Sequence, residues 1–165
     1  MNAGWSLLSS AIGFEVDQAL GDQGAFISVW KWENGTWSVY LSGEQTPGAY
    51  ASAKGFGVLT AIHPGEGFWV NAKDASSITI NGMFEYGPLE LASGWNLVGL
   101  EDGQAVSVAE MVAAHPAIIS LWKWSKGTWE VYLPDETSPG GYAQSKGFAP
   151  FDMVNPGEGI WVNME

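Results

Sequence analysis

The chain reads as an all-β protein built from two internally repeated antiparallel β units, a sandwich or a pseudo-twofold barrel, with one short helix per unit. Three observations predict this. Residues 27–73 match residues 119–165 without a gap, with 26 identities over 47 positions. Each copy carries four or five short runs of β-forming residues separated by Gly and Pro, the pattern of a small sandwich or barrel. All ten tryptophans fall in matched pairs: Trp5/Trp95, Trp30/Trp122, Trp32/Trp124, Trp37/Trp129 and Trp69/Trp161. Unit 1 spans residues 1–73, a connecting β segment 74–93, and unit 2 residues 94–165.

The elements follow in order. Gly4-Trp5-Ser6-Leu7-Leu8 and Gly94-Trp95-Asn96-Leu97-Val98 open the two copies as short strands. A weak helix follows at Ser107–Ala114, where Ser107 supplies an N-cap and Pro116 a stop; its counterpart at Phe14–Leu20 is weaker. The clearest element is a hairpin, Ile27–Trp32 returning through Trp37–Leu41. Its Asn34-Gly35 turn suits type I′, which needs positive φ at both central residues. Copy two has Lys126-Gly127 there. A two-residue turn sets Trp32 opposite Trp37, Trp30 opposite Val39 and Lys31 opposite Ser38, with Lys123 opposite Glu130 as a favourable charge pair. A loop then runs to Ala49 (Gly141 in copy two), and a strand from Lys54-Gly55-Phe56 to Ile62. Pro64-Gly65 reads as a type II turn, and Gly67–Asn71 as the last strand. In the connector, Ser77–Asn81 reads as a strand and Pro88–Leu91 as a second.

Composition excludes several functions. Six Lys, no Arg and 18 Asp plus Glu give a net charge of −12. Such a surface repels nucleic acid, anionic membranes and strongly acidic polysaccharides. With no Cys, disulfides, thiolate chemistry and Cys-ligated zinc are absent. No apolar run approaches the roughly 20 residues of a membrane span. No basic n-region or apolar h-region marks a signal peptide. Met1 and Glu165 truncate the repeat pattern, as in a piece cut from a tandem array.

The side chains sort into expected roles by alternation along strands. Trp30, Trp32, Trp37, Val39 and Leu41 share one hairpin face. Trp32/Trp37 and Trp124/Trp129 are expected to be packed core, since small β units without disulfides need such filler. Tyr40 and Tyr132 would then point outwards as exposed aromatics, with Lys31 and Thr36. Trp5 and Trp95 are expected in the core. Trp69 and Asn71, recurring as Trp161 and Asn163, share a face opposite to Phe68 and Val70. A Trp beside an amide can stack on a ligand and hydrogen-bond it, or can be packed with its Asn capping a loop. Trp30 and Trp122 stay open between core and surface. Glu66 and Glu158, in Pro-Gly-Glu-Gly turns, are candidate ligand or calcium carboxylates, with a solvated turn residue as the default. Lys54 and Lys146 suit a salt bridge or a site contact.

No nucleophile elbow, zinc-protease helix motif, P-loop or dinucleotide fingerprint occurs. His63 becomes Asn155 in copy two, and His115 has no counterpart. Glu44/Glu136 and Glu66/Glu158 are the acids shared by both copies. The expectation is therefore a non-catalytic module without cofactor or bound metal. Two functions compete. One is a carbohydrate-binding module recognising a neutral polysaccharide or surface glycan, with aromatic rings on sugar C–H faces and polar groups on hydroxyls. The other is a structural or adhesion repeat of a large secreted protein, flanked by neighbouring modules.

Two resemblances bear on this. The hairpin resembles designed tryptophan zippers, with Trp-x-Trp, Glu-Asn-Gly and a returning Trp. The Gly-Trp-Asn-Leu opening and Pro-Gly-Glu-Gly-(Phe/Ile)-Trp-Val-Asn closing resemble repeat modules of long bacterial surface and extracellular proteins. That resemblance implies a secreted, extracellular location within a larger bacterial protein. It implies no particular activity.

Overall fold

A computed structural model describes residues 1–20, 24–83, 89–100 and 103–165. In chain order the first elements are β1 (Gly4–Ser9), β2 (Phe14–Glu15), α1 (Val16–Leu20), β3 (Phe26–Glu33), β4 (Thr36–Leu41), α2 (Ala49–Lys54), β5 (Gly57–Val58), β6 (Ala61–Ile62) and β7 (Gly67–Ala72). They continue with β8 (Gly94–Val98), β9 (Val106–Ser107), α3 (Val108–Ala114), β10 (Ile118–Ser125), β11 (Thr128–Tyr132), α4 (Gly141–Lys146), β12 (Met153–Val154) and β13 (Ile160–Met164). The chain is mostly β. Its two larger sheets run β1-β7-β3-β4-β5 and β8-β13-β10-β11, and they do not close into a barrel.

The hairpin forms in the expected register. Trp32 faces Trp37, Trp30 faces Val39 and Lys31 faces Ser38. In the second hairpin Lys123 faces Glu130. Asn34 and Gly35 take φ of 51° and 77°, and Lys126 and Gly127 take 51° and 80°, the positive values a type I′ turn requires. Ser107 caps α3 by accepting from Glu110 N, and the Glu110 carboxylate accepts from Ser107 N at 3.1 Å. This capping box explains why α3 starts where it does.

A β-bulge sets which residues enter the core. The β3–β7 register slips between Phe26 and Ser28, and the β10–β13 register slips between Ile118 and Ser120. The extra residue changes the face on which the following side chains emerge. Phe26 therefore joins Val29, Phe68 and Val70 on one face, under Val16 and Leu20 of α1. Ser28, Trp30 and Trp32 emerge on the other. The bulged Ile27 and Ile119 are left 40% and 48% exposed. The second unit builds the matching core from Ile118, Leu121, Ile160 and Val162 under Val108 and Met111 of α3.

The expected core face is thus the wrong one. The hairpin tryptophans do not fill either core, because aliphatic and Phe residues on the opposite face are covered by a helix and do so instead. Three further expectations change. Each sequence copy holds two helices, not one, since α2 and α4 occupy stretches read as loop and strand start. Residues 54–62 form two short strands rather than one. The connector pairs with no sheet at Ser77–Asn81 or Leu89–Leu91, while Pro88 lies outside the described residues. It acts as a strap: Ile78 packs on the first core, and Leu89 and Leu91 pack on the second.

The two sheets meet through reciprocal contacts. Ser9 N donates to Gly157 O at 3.0 Å, and Gly99 N donates to Gly65 O at 2.8 Å. Leu8 bridges Glu158 and Val98 bridges Glu66. This explains the Pro-Gly-Glu-Gly turn. A Cβ on Gly67 would sit 2.8 Å from Val98 N, and one on Gly159 would strike Leu8 O, so the second Gly admits the other unit's strand. Residues 9 and 99 are equivalent in the two copies and meet each other. A Cβ on Gly99 would overlap the Ser9 side chain, so only one of the two positions can carry a side chain.

Candidate functional site

Side-chain alternation on β1, β3, β4 and β7, and on β8, β10, β11 and β13, puts all ten tryptophans on the sheet faces that turn away from the two cores. None of them is buried. Trp5 and Trp95 are the most exposed, at 47% and 48%, against the expectation that they are core. They sit near the start of the edge strands β1 and β8, which are hydrogen-bonded in a sheet on one side only.

The hairpin tip of each unit lies across the first strand of the other. Trp32 Nε1 donates to Trp95 O at 3.3 Å, and Trp124 Nε1 donates to Trp5 O at 3.1 Å. Ring contacts cross between the units in the same reciprocal way. Trp161 lies 6.1 Å from Trp32 and 5.9 Å from Trp37, centroid to centroid. Trp69 lies 5.9 Å from Trp124 and 5.8 Å from Trp129. Tilted and edge-to-face pairs of this kind each add about 0.5–1.5 kcal/mol beyond area burial.

Two grooves result, both open to solvent and both lined, among the described residues, by tryptophan. One, of about 500 Å³, is lined by Trp32, Trp37, Trp95, Trp122, Trp129 and Trp161. The other, of about 480 Å³, is lined by Trp5, Trp30, Trp37, Trp69, Trp124 and Trp129. Trp37 and Trp129 line both. A contiguous exposed apolar surface is unusual on a soluble domain and marks a place of interaction. Trp30 and Trp122 sit at the outer flanks, edge-on to Phe56 and Phe148, with Nε1 donated to Ser28 Oγ and Ser120 Oγ.

Trp32 and Trp95 of the first groove also line a larger cleft of about 970 Å³. Its walls include Glu33, Asn34, His63, Glu90 and Asn96. Asn96 is held by its own bonds, accepting from Ala92 N at 2.9 Å and donating to Ala92 O at 2.7 Å.

Other sequence-selected residues separate by face. Asn71 and Asn163 pair in register with Trp5 and Trp95, on the tryptophan face. Tyr40 and Tyr132 lie on the opposite face, packed against the cores, so they do not join the grooves. Tyr40 Oη donates to Asp17 Oδ1 at 2.7 Å and borders a separate acidic hollow. The expected outward Tyr40 followed from the inverted core assignment.

Glu66 and Glu158 are partly exposed turn residues whose carboxylates are ion-paired, and Glu66 lines the larger cleft. Glu66 pairs with Lys31, which is only 6% exposed, and accepts from His63 N at 2.7 Å. Glu158 pairs with Lys123 at 3.2 Å and accepts from Asn155 N at 2.8 Å. Lys123 also reaches Glu130 at 3.4 Å and Met153 O at 3.2 Å, and lies 5.0 Å over the Phe151 ring. The other shared acids cap helices. Glu44 accepts from Gly48 N and Tyr50 N at 2.9 and 2.8 Å, and Glu136 accepts from Tyr142 N at 2.8 Å. Lys54 and Lys146 are exposed in the last turns of α2 and α4, beside the helix carbonyl ends.

Among the described residues no cluster of three or more His, Asp or Glu is placed to hold a metal ion. Among the same residues no helix is long and apolar enough to cross a membrane. Comparison with protein-family models, curated proteins and solved structures finds no match to the chain.

Proposed function

We propose that the tryptophan surface is the binding face of a non-catalytic module for neutral glycans, formed by a pseudo-twofold pair of repeat units within a larger secreted bacterial protein. One observation carries this reading: ten tryptophans stay accessible although each unit already has an aliphatic core on its other face. Stability alone gives no reason to expose them. Indole rings stack on the C–H faces of sugars. Asn71, Asn163 and the polar cleft beyond Trp32 supply hydrogen-bonding groups at the rim of an apolar floor, the usual build of a ligand site. The −12 charge favours neutral over polyanionic polymers.

Titration with a panel of neutral polysaccharides, read by tryptophan fluorescence and calorimetry, tests this. Binding gives a spectral shift and heat. No change in either signal sinks the reading and leaves the second one, a structural or adhesion module. That alternative draws support from the reciprocal indole-to-carbonyl bonds, through which the tryptophans also join the two units.

A further inference from the structure

Resting on the glycan reading, we infer that the two tryptophan grooves are one binding track for a single extended oligosaccharide chain, not two independent sites. The duplicated sequence suggests two equivalent sites, one per unit. The geometry contradicts that division. Each groove takes rings from both units, and Trp37 and Trp129 belong to both grooves. A ligand seated on Trp37 in one groove occupies the wall of the other. Two long ligands compete for the shared rings, whereas one long ligand covers both grooves without conflict.

At one end the track meets a polar cleft: Trp32 and Trp95 of the first groove also line the cleft that holds Glu33 and Glu90. The connector supplies Leu89–Ser93 to that cleft, and the connector is the part of the sequence present once. Carboxylates at the polar end accept hydrogen bonds from sugar hydroxyls and disfavour anionic sugars. The ligand is therefore a linear neutral oligosaccharide, held by stacking along the tryptophans and by hydroxyl contacts at the cleft.

Calorimetry of the full chain with linear neutral gluco- and manno-oligosaccharides, from disaccharide to octasaccharide, tests this. The expected stoichiometry with the octasaccharide is one. Affinity rises with chain length by about 10²-fold across the series, as linked contacts add. Trp5→Ala and Trp95→Ala remove exposed rings from opposite ends of the track, and their melting curves check the fold. Each is expected to weaken octasaccharide binding about tenfold while the stoichiometry stays at one. Glu90→Ala is expected to weaken only the longest ligands. A stoichiometry of two that falls to one in either Trp variant overturns the single track, as does affinity independent of length, while glycan binding itself stands. Octasaccharide binding unchanged by Glu90→Ala overturns the polar end. No heat with any sugar overturns the glycan reading and the track with it.

Discussion

The Glu66→Gln substitution isolates the buried ion pair behind each hairpin. Lys31 is almost wholly covered, with a side-chain exposure of 7%, and its partners are Glu66 at 22% and Glu33 at 53%. Gln keeps the shape, and its carbonyl can still accept from His63 N, so the change is mainly one of charge. Breaking a fully buried pair from one side costs about 3–5 kcal/mol, because the remaining charge is desolvated and unpaired. Glu66 is partly solvated and Glu33 remains, so the expected cost is about 2–3 kcal/mol. For a chain of this size that lowers Tm by roughly 5–10 °C. Glu158→Gln is the internal control. Lys123 retains Glu130, itself 20% exposed, the Met153 carbonyl and the Phe151 ring, so the same change is expected to cost about 1–2 kcal/mol. Replacing both partners, Lys31→Met with Glu66→Gln, should recover most of the loss. Urea denaturation followed by far-UV circular dichroism measures all three variants. A Glu66→Gln loss under about 0.5 kcal/mol, or a larger loss for Glu158→Gln, would falsify the assignment of Lys31 as a charge dependent on Glu66.

Other expectations follow from single contacts. Gly99→Ala places a methyl against Ser9 and should cost about 1–3 kcal/mol by overpacking; adding Ser9→Gly should restore stability, and failure of that rescue would refute direct contact at this position. Lys126→Asn should raise stability by about 0.5–1 kcal/mol, because Asn adopts positive φ more readily than Lys; the mirror change Asn34→Lys should lower it in the same urea assay. Acrylamide should quench nearly the whole tryptophan emission, since none of the ten rings is buried; a large unquenched fraction would contradict the open grooves. Hydrogen bonds from the Ser107 side chain and then its backbone N–H hold the Glu110 carboxyl below its usual value. Its contribution is therefore present above the ordinary Glu range and is lost as pH falls through the lowered value. Amide exchange at the first turn of α3 should accelerate over that acid window, and Ser107→Ala, which keeps the backbone donor, should weaken the dependence.

The hairpin register, the positive-φ turn residues and the Ser107 cap of α3 were legible because each is a contact between residues a few positions apart. The repeat was legible for a similar reason: it is a property of the string. Strand alternation also sorted the tryptophans from Val29, Phe68 and Val70. It could not say which set faces inward, because both faces of the hairpin carry apolar residues and alternation carries no sign. Coverage decided that. Helices α1 and α3 and the connector's Ile78, Leu89 and Leu91 close over the aliphatic faces, and the bulges at Ile27 and Ile119 bring Phe26 and Ile118 into line with them. The short helices α2 and α4 escaped notice because their six residues lie between glycines, and their start is held by Glu44 or Glu136 several positions upstream.

The candidate site divides along the same line. From sequence alone came the ten paired tryptophans, the acidic charge that turns away polyanions, and Trp69 with Asn71 on one face. Only the tertiary structure joined the five tryptophans of each unit into two grooves sharing Trp37 and Trp129. It also packed Tyr40 against a core and paired Glu66 and Glu158 with Lys31 and Lys123. The physical reason is that these contacts link residues up to 119 positions apart, as in Trp124 and Trp5, and spacing along a chain says nothing about which distant strand will lie across it.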